Sequence, residues 1–328
     1  AGTTTVGIKV REDLGNGLSV GGSVNTDWGD LGGASQANAV ANAQSSGFAN
    51  SQSFLDLTDK KFGTLRLGTP NNFTLTNATA IASPAFSTGI GSAYSSAFSI
   101  ANGLGTGTTG WGGIVNAQKA ILSTENVGAR TIRIANTVQY SSPVFSGVSA
   151  HLGYTPQNSS NGTGTDTVGV NEYALRYTNG PVDAMYSSVE YKVGSTVPSQ
   201  NSSSMTLTAN QTSKQDLLGV AYKVLPALTL NVGLGSFSST ANTYKGSSQS
   251  LGGTYTVGAW DILAQVAKVD DKSSTNIDRK MTGLGVNYNF TKTARAYVRY
   301  DNINYGSNVA ATAGTEVKRT AIGVSKSF

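Results

Sequence analysis

The chain has 328 residues, 40 of them glycine and 14 tyrosine, with no cysteine and 12% charged residues. A net charge of +5 is small for this length, and no run of Lys and Arg accompanies it, so nucleic acid is not an expected partner. No stretch of about 18 apolar residues occurs, which excludes a spanning helix but not spanning strands, whose period-two pattern needs about 9–11 residues. Abundant Ser, Thr and Gly would suit disorder, yet recurring aromatics and alternating segments predict a folded chain. No leader precedes Ala1, so any export signal is expected to have been removed.

The first element alternates: Val6, Ile8 and Val10 share one face, and Gly7 and Lys9 the other. Glu12 to Gly17 then predicts a tight reversal, with Asn16-Gly17 supplying positive φ angles. Leu18, Val20, Gly22 and Val24 follow against Ser19, Gly21, Ser23 and Asn25, which completes a hairpin with one apolar face. The same unit recurs around Leu65 and Leu67, Ile132 to Val138, Val148 to Tyr154, Leu228 to Leu234, Leu284 to Phe290 and Ile322 to Phe328. Candidate strands start near residues 3, 18, 49, 64, 131, 146, 171, 182, 214, 227, 248, 260, 280, 294 and 317.

Alternation alone fits a soluble sandwich as well as a barrel. Three features favour the barrel. The segments run to about ten residues, where soluble strands average about five or six. Very short turns (Asn179-Gly180-Pro181, Leu225-Pro226, Thr291-Lys292-Thr293) alternate with long polar loops. Aromatics such as Trp28, Tyr140, Tyr177, Tyr222, Trp260 and Phe290 gather at segment ends. The expected fold is therefore all-β, a transmembrane antiparallel β-barrel forming one domain over residues 1–328. An odd number of strands is at variance with the even numbers of bacterial single-chain barrels. Either a first strand is missing from the chain as given, or a segment near 49, 182 or 260 is miscounted.

Four stretches carry a family likeness. Gly7 to Leu18 (GIKVREDLGNGL) resembles the second strand and turn of the trimeric general porins of β-proteobacterial outer membranes. Phe62 to Gly68 (FGTLRLG) resembles the strand leading to their constriction loop, and Gln139 to Gly147 (QYSSPVFSG) their next periplasmic turn. Gly323 to Phe328 (GVSKSF) resembles their closing strand. The resemblance spans the chain in order. It implies about sixteen strands, a homotrimer and a third loop folded into the lumen. It also implies an integral place in the outer membrane, among lipids including lipopolysaccharide. Phe328 then stands where the family carries its assembly signal.

Pro70 to Ala129 is a strand-poor stretch that matches the constriction loop by position. Its charges are Lys119 and Glu125 alone, so the acidic side of a transverse pore field is nearly absent. The basic side is present: Lys9, Arg11, Arg66 and Arg133 fall on lumen parity, as do Arg176, Lys223, Arg295, Arg299 and Arg319, against Asp27, Asp56 and Asp301. The expectation is a water-filled channel for small hydrophilic solutes, preferring anions, against the blander reading that these groups pair locally.

Enzymatic readings fare poorly. His151 is the single histidine, on lumen parity, and Ser149 or Ser187 is no more a nucleophile than other serines. One His and no Cys give zinc too few ligands, and Asp270-Asp271 lacks a calcium-loop pattern, so neither metal nor cofactor is expected. Two other readings stay open: a substrate-specific channel with an aromatic path of Phe73, Phe86, Tyr94 and Phe98, and a β-rich surface or adhesion protein.

Overall fold

The computed structural model describes residues 4–28, 51–87, 89–98, 105–106, 136–157, 169–192, 206–207, 210, 212–240, 245–272, 276, 278–306 and 316–327. Period-two alternation of apolar and polar residues sends successive side chains to opposite faces, and tight turns bring each segment back beside the last. Fifteen antiparallel strands result, joined in chain order into one sheet. They are β1 (Thr4–Gly15), β2 (Leu18–Trp28), β3 (Ser53–Asp59), β4 (Gly63–Thr69), β5 (Thr137–Ser141), β6 (Val148–Thr155), β7 (Gly169–Asn179) and β8 (Val182–Lys192). The second half comprises β9 (Thr212–Leu225), β10 (Leu228–Ser239), β11 (Lys245–Val257), β12 (Trp260–Asp271), β13 (Arg279–Thr291), β14 (Ala294–Tyr305) and β15 (Glu316–Lys326). Most starts lie within two or three residues of the sequence reading. The segments expected near 49 and 131 begin later, at Ser53 and Thr137, and 131–135 lies outside the described residues.

Short turns all fall at one end of the sheet. At the first, Asn16 and Gly17 have φ of 54° and 87°, the left-handed values that a tight hairpin needs. Long connections fall at the other end. The outward face is apolar over its whole width: Ile8, Leu55, Leu152, Leu284 and Ile322 all stand exposed there. Such a continuous apolar exterior far exceeds the patches that water tolerates on a monomeric protein and matches a hydrocarbon layer instead. The inward face buries polar groups, among them Ser19, Gln139, Ser187, Asn231, Gln265 and Asn287.

Each edge strand, β1 and β15, has one neighbour in the sheet. With fifteen strands alternating in direction, these two edges run the same way and cannot join by an antiparallel ladder. The sixteenth strand implied by the family resemblance is not among the fifteen described.

Candidate functional site

The chain from residue 70 to 98 turns inward and lies along the concave face of the sheet. Asn72 starts it by capping a short helix, α1 (Phe73–Asn77): its Oδ1 accepts from Leu75 N at 2.8 Å, and its Nδ2 donates to the Tyr191 hydroxyl at 3.0 Å. Glu172 of β7 accepts from Thr74 N at 2.8 Å and Thr74 Oγ1 at 3.1 Å. Asn77, fully buried, directs Nδ2 at Met185 O, Leu217 O and Ser187 Oγ, at 2.9, 2.8 and 3.0 Å. Two π-helical turns follow, Ala78–Ala82 and Tyr94–Phe98. Asn231 Nδ2 donates to Ala82 O at 2.7 Å, Gly91 N to Asp301 Oδ2 at 2.9 Å, and Gln215 Nε2 to Phe98 O at 2.7 Å. The segment thus touches strands from β7 to β14.

Apolar packing accompanies these bonds. Leu75, Ala82, Tyr94 and Phe98 bury themselves against Leu217, Phe237, Val269, Met281 and Ile303, all on lumen-facing positions. Wall glycines allow the close approach: a Cβ on Gly233 would stand 2.5 Å from the Phe98 ring, and one on Gly283 2.5 Å from Gly91 O. These backbone and ring contacts leave no slack for a side chain.

The basic residues read from the sequence divide into two groups. Arg66 donates to Asp56 through Nε at 2.6 Å and Nη2 at 2.9 Å, and its guanidinium lies 3.8 Å from the Phe54 ring centre. Arg176 grips Asp183 the same way, at 2.8 and 2.6 Å, and Arg319 grips Asp301 at 2.9 and 2.5 Å. Bidentate pairs of this kind cancel both charges over a short distance. Lys9 and Arg11 differ. Both face inward from β1, Arg11 donates to Ser19 Oγ at 3.0 Å, and neither forms an ion pair among the described residues. Lys223 and Arg295 are likewise without a carboxylate at ion-pair distance among the described residues. Arg299, 6% exposed, donates to Asn287 Oδ1 at 2.6 Å and to Val286 O and Val298 O, between the rings of Phe86 and Tyr297. Arg133, Lys119, Glu125 and Phe328 lie outside the described residues, as does the side chain of Asp27.

His151 hydrogen-bonds Ser149 Oγ at 3.0 Å and Ser141 Oγ at 2.9 Å, and its ring centre stands 5.0 Å from that of Phe73. Two serines and a phenyl ring fix the imidazole as a wall residue beside the inserted segment. Among the described residues no group of three His, Cys, Asp or Glu could hold a metal. The anchors Glu172, Asn77 and Asp301 were not singled out as site residues by the sequence reading. For Glu172 and Asp301 the one signal is inward parity, which does not say what they meet, and Asn77 lies in a helical turn to which strand parity does not apply.

An apolar exterior, a polar interior, short turns at one end and a segment laid inside the sheet define a membrane-spanning porin barrel. The chain belongs to the Gram-negative porin family, which matches residues 1–308. It is an integral protein of the outer membrane and forms a porin channel. No curated protein sequence matches it. Among solved structures, an anion-selective porin from Comamonas acidovorans superposes with a TM-score of 0.73 at 22% identity, covering 99% of this chain and 90% of that one. The trimer form of in-vitro folded OmpT from Vibrio cholerae gives 0.62 at 15% identity, covering 98% and 89%. Salmonella typhi OmpF in complex with daunomycin gives 0.62 at 14%, covering 99% and 89%. At these identities the likeness is one of fold.

Proposed function

We propose that this porin is a general diffusion channel for small hydrophilic solutes with a preference for anions. In this reading residues 1–328 make a single barrel domain, residues 70–129 are its constriction loop, and the working unit is a homotrimer. Solutes cross hydrated and unchanged, with no covalent step.

One observation carries the anion preference: three lumen carboxylates, Asp56, Asp183 and Asp301, are each held by an arginine, and Asp261 near the short turns by the neutral Thr256, Asn287 and Asn289, whereas Lys9 and Arg11 have no acidic partner among the described residues. Uncancelled positive charge beside a low-dielectric wall attracts anions and repels cations over roughly 8–10 Å at physiological salt. Arg299 adds a buried cation held by neutral acceptors. Arg66 and Arg176, by contrast, are expected to contribute little field. The name of the Comamonas relative points the same way.

A substrate-specific channel would need its aromatic path open to solute. Phe86, Tyr94 and Phe98 are instead buried on the wall, which favours passive diffusion. Planar-bilayer recording under a salt gradient tests the proposal. Conductance steps grouped in threes and an anion-favouring reversal potential are expected. A cation-favouring potential would refute the preference, and an absence of conductance would return the surface-protein reading.

A further inference from the structure

Phe54 places an aromatic ring on the water side of the wall. The exposed Leu55 and Leu57 hold the outward parity of β3, so Phe54 and Asp56 point into the lumen. Elsewhere the lumen's apolar residues have a reason to be there: Leu217 and Phe237 lie under the inserted segment, which is anchored from β7 to β14. Phe54 stands on β3, outside that span, and remains half-buried. Its partner is a cation. The Arg66 guanidinium lies 3.8 Å from the ring centre, fixed there by both of its bonds to Asp56. With 32% of the Arg66 side chain exposed, the stack offers a flat surface to the lumen.

The ring's cross-strand neighbours are small. Phe54 stands opposite Ser23 of β2 and Gly68 of β4, neither of which can cover it. Beyond Ser23 in the same row comes Lys9 of β1. The adjacent inward row runs Arg11, Gly21, Asp56, Arg66. A Cβ on Gly21 would meet no side-chain atom nearer than that of Arg11 at 3.9 Å, so the floor between the two banks is open. Lys9 and Arg11 have no carboxylate at ion-pair distance among the described residues. One bank of this hollow thus carries uncancelled positive charge, and the other a neutralised stack of phenyl ring and guanidinium.

The span between the banks sets what fits. Two strand spacings separate Lys9 from Phe54, about 10 Å at the backbone. The lysine ammonium reaches over part of that distance on its flexible four-carbon stem. What is left accommodates one carboxylate and one ring. A small inorganic anion answers the charge and leaves the flat surface wet, whereas a carboxylate borne on an aromatic ring answers both.

We infer that Lys9, Arg11, Phe54 and Arg66 form a lumen subsite for aryl carboxylates. The carboxylate takes Lys9 and Arg11, and the aromatic ring lies against the Phe54–Arg66 stack, face-on to the guanidinium or edge-on to the phenyl. Passage stays diffusive; the subsite decides which anions dwell longest on the way. The inference rests on the anion-preferring channel proposed above and names the class of solute that this channel holds best.

The test records chloride current through the folded protein in planar bilayers while benzoate or cyclohexanecarboxylate is added at neutral pH. The two acids match in charge and nearly in size, but one is flat and aromatic and the other puckered and saturated. A solute held in the subsite obstructs chloride, and benzoate should reach half-block at about one-fifth the concentration of its saturated counterpart, the increment expected of an aromatic contact. F54L should bring the two values together, and F54Y should keep them apart. K9Q should raise both in the same proportion, because the carboxylate is common to them. Equal values in the wild type would overturn the inference, as would a gap that survives in F54L. Should F54L fail to fold, the two acids on the wild type decide alone. The wild-type reversal potential in potassium chloride separates the failures: an anion-favouring potential without a gap removes the subsite only, and a cation-favouring one removes the channel's preference and the subsite with it.

Discussion

Arg66 and Lys9 look alike in a list of lumen cations, but their surroundings give them different work. Removing Arg66 alone leaves Asp56 unpaired in the lumen, whereas removing the pair together leaves the net charge as it was. D56N/R66Q should therefore keep the wild-type reversal potential under a salt gradient, and R66Q alone should move it toward cations. K9Q/R11Q should move it further, because two uncancelled charges go at once; a potential unchanged in that variant would discard the assignment. The Asp56–Arg66 partnership was within reach of the sequence. The short turn at 60–62 pairs Asp59 with Gly63, and counting back along that hairpin sets Asp56 against Arg66. The Asp301–Arg319 pair was not, since a long connection separates their strands and leaves the register open.

At the level of elements, the inserted segment and the wall beneath it are matched surfaces. Asn77 alone serves three acceptors on two strands, so N77A strips Met185 O and Leu217 O of a buried donor. That loss is expected to cost about 1–3 kcal/mol, read as a lower midpoint for chemical unfolding of the detergent-folded protein. G283V acts by volume: its side chain would enter the space of Gly91, push the segment off the wall and reduce single-channel conductance. Conductance equal to wild type in G283V would show that the segment does not set the aperture. The strands themselves were legible because lipid and water enforce strict alternation. Alternation weakens where the segment covers the wall. There Leu217, Phe237, Val269 and Met281 occupy lumen positions that the pattern reserves for polar residues, because an intramolecular surface takes the place of water. The π-helical turns left no trace that periodicity could detect.

For the molecule as a whole, the lumen field is a sum over fixed charges, and its reach depends on the solution. The screening length falls from about 10 Å at 0.1 M salt to about 3 Å at 1 M. The anion-to-cation permeability ratio should accordingly decline toward one as salt rises, and a ratio constant over that range would mean that selectivity comes from something other than these charges. The long ties of the inserted segment also set an order of events. Asn77 bonds to residues more than a hundred positions later, and Gly91 to one 210 positions away. The Asn77 anchor is incomplete until β9 has formed, and the Gly91 anchor does not exist until β14 has. The aperture is thus among the last things this chain builds, so a barrel arrested part-way would be wider than the finished one.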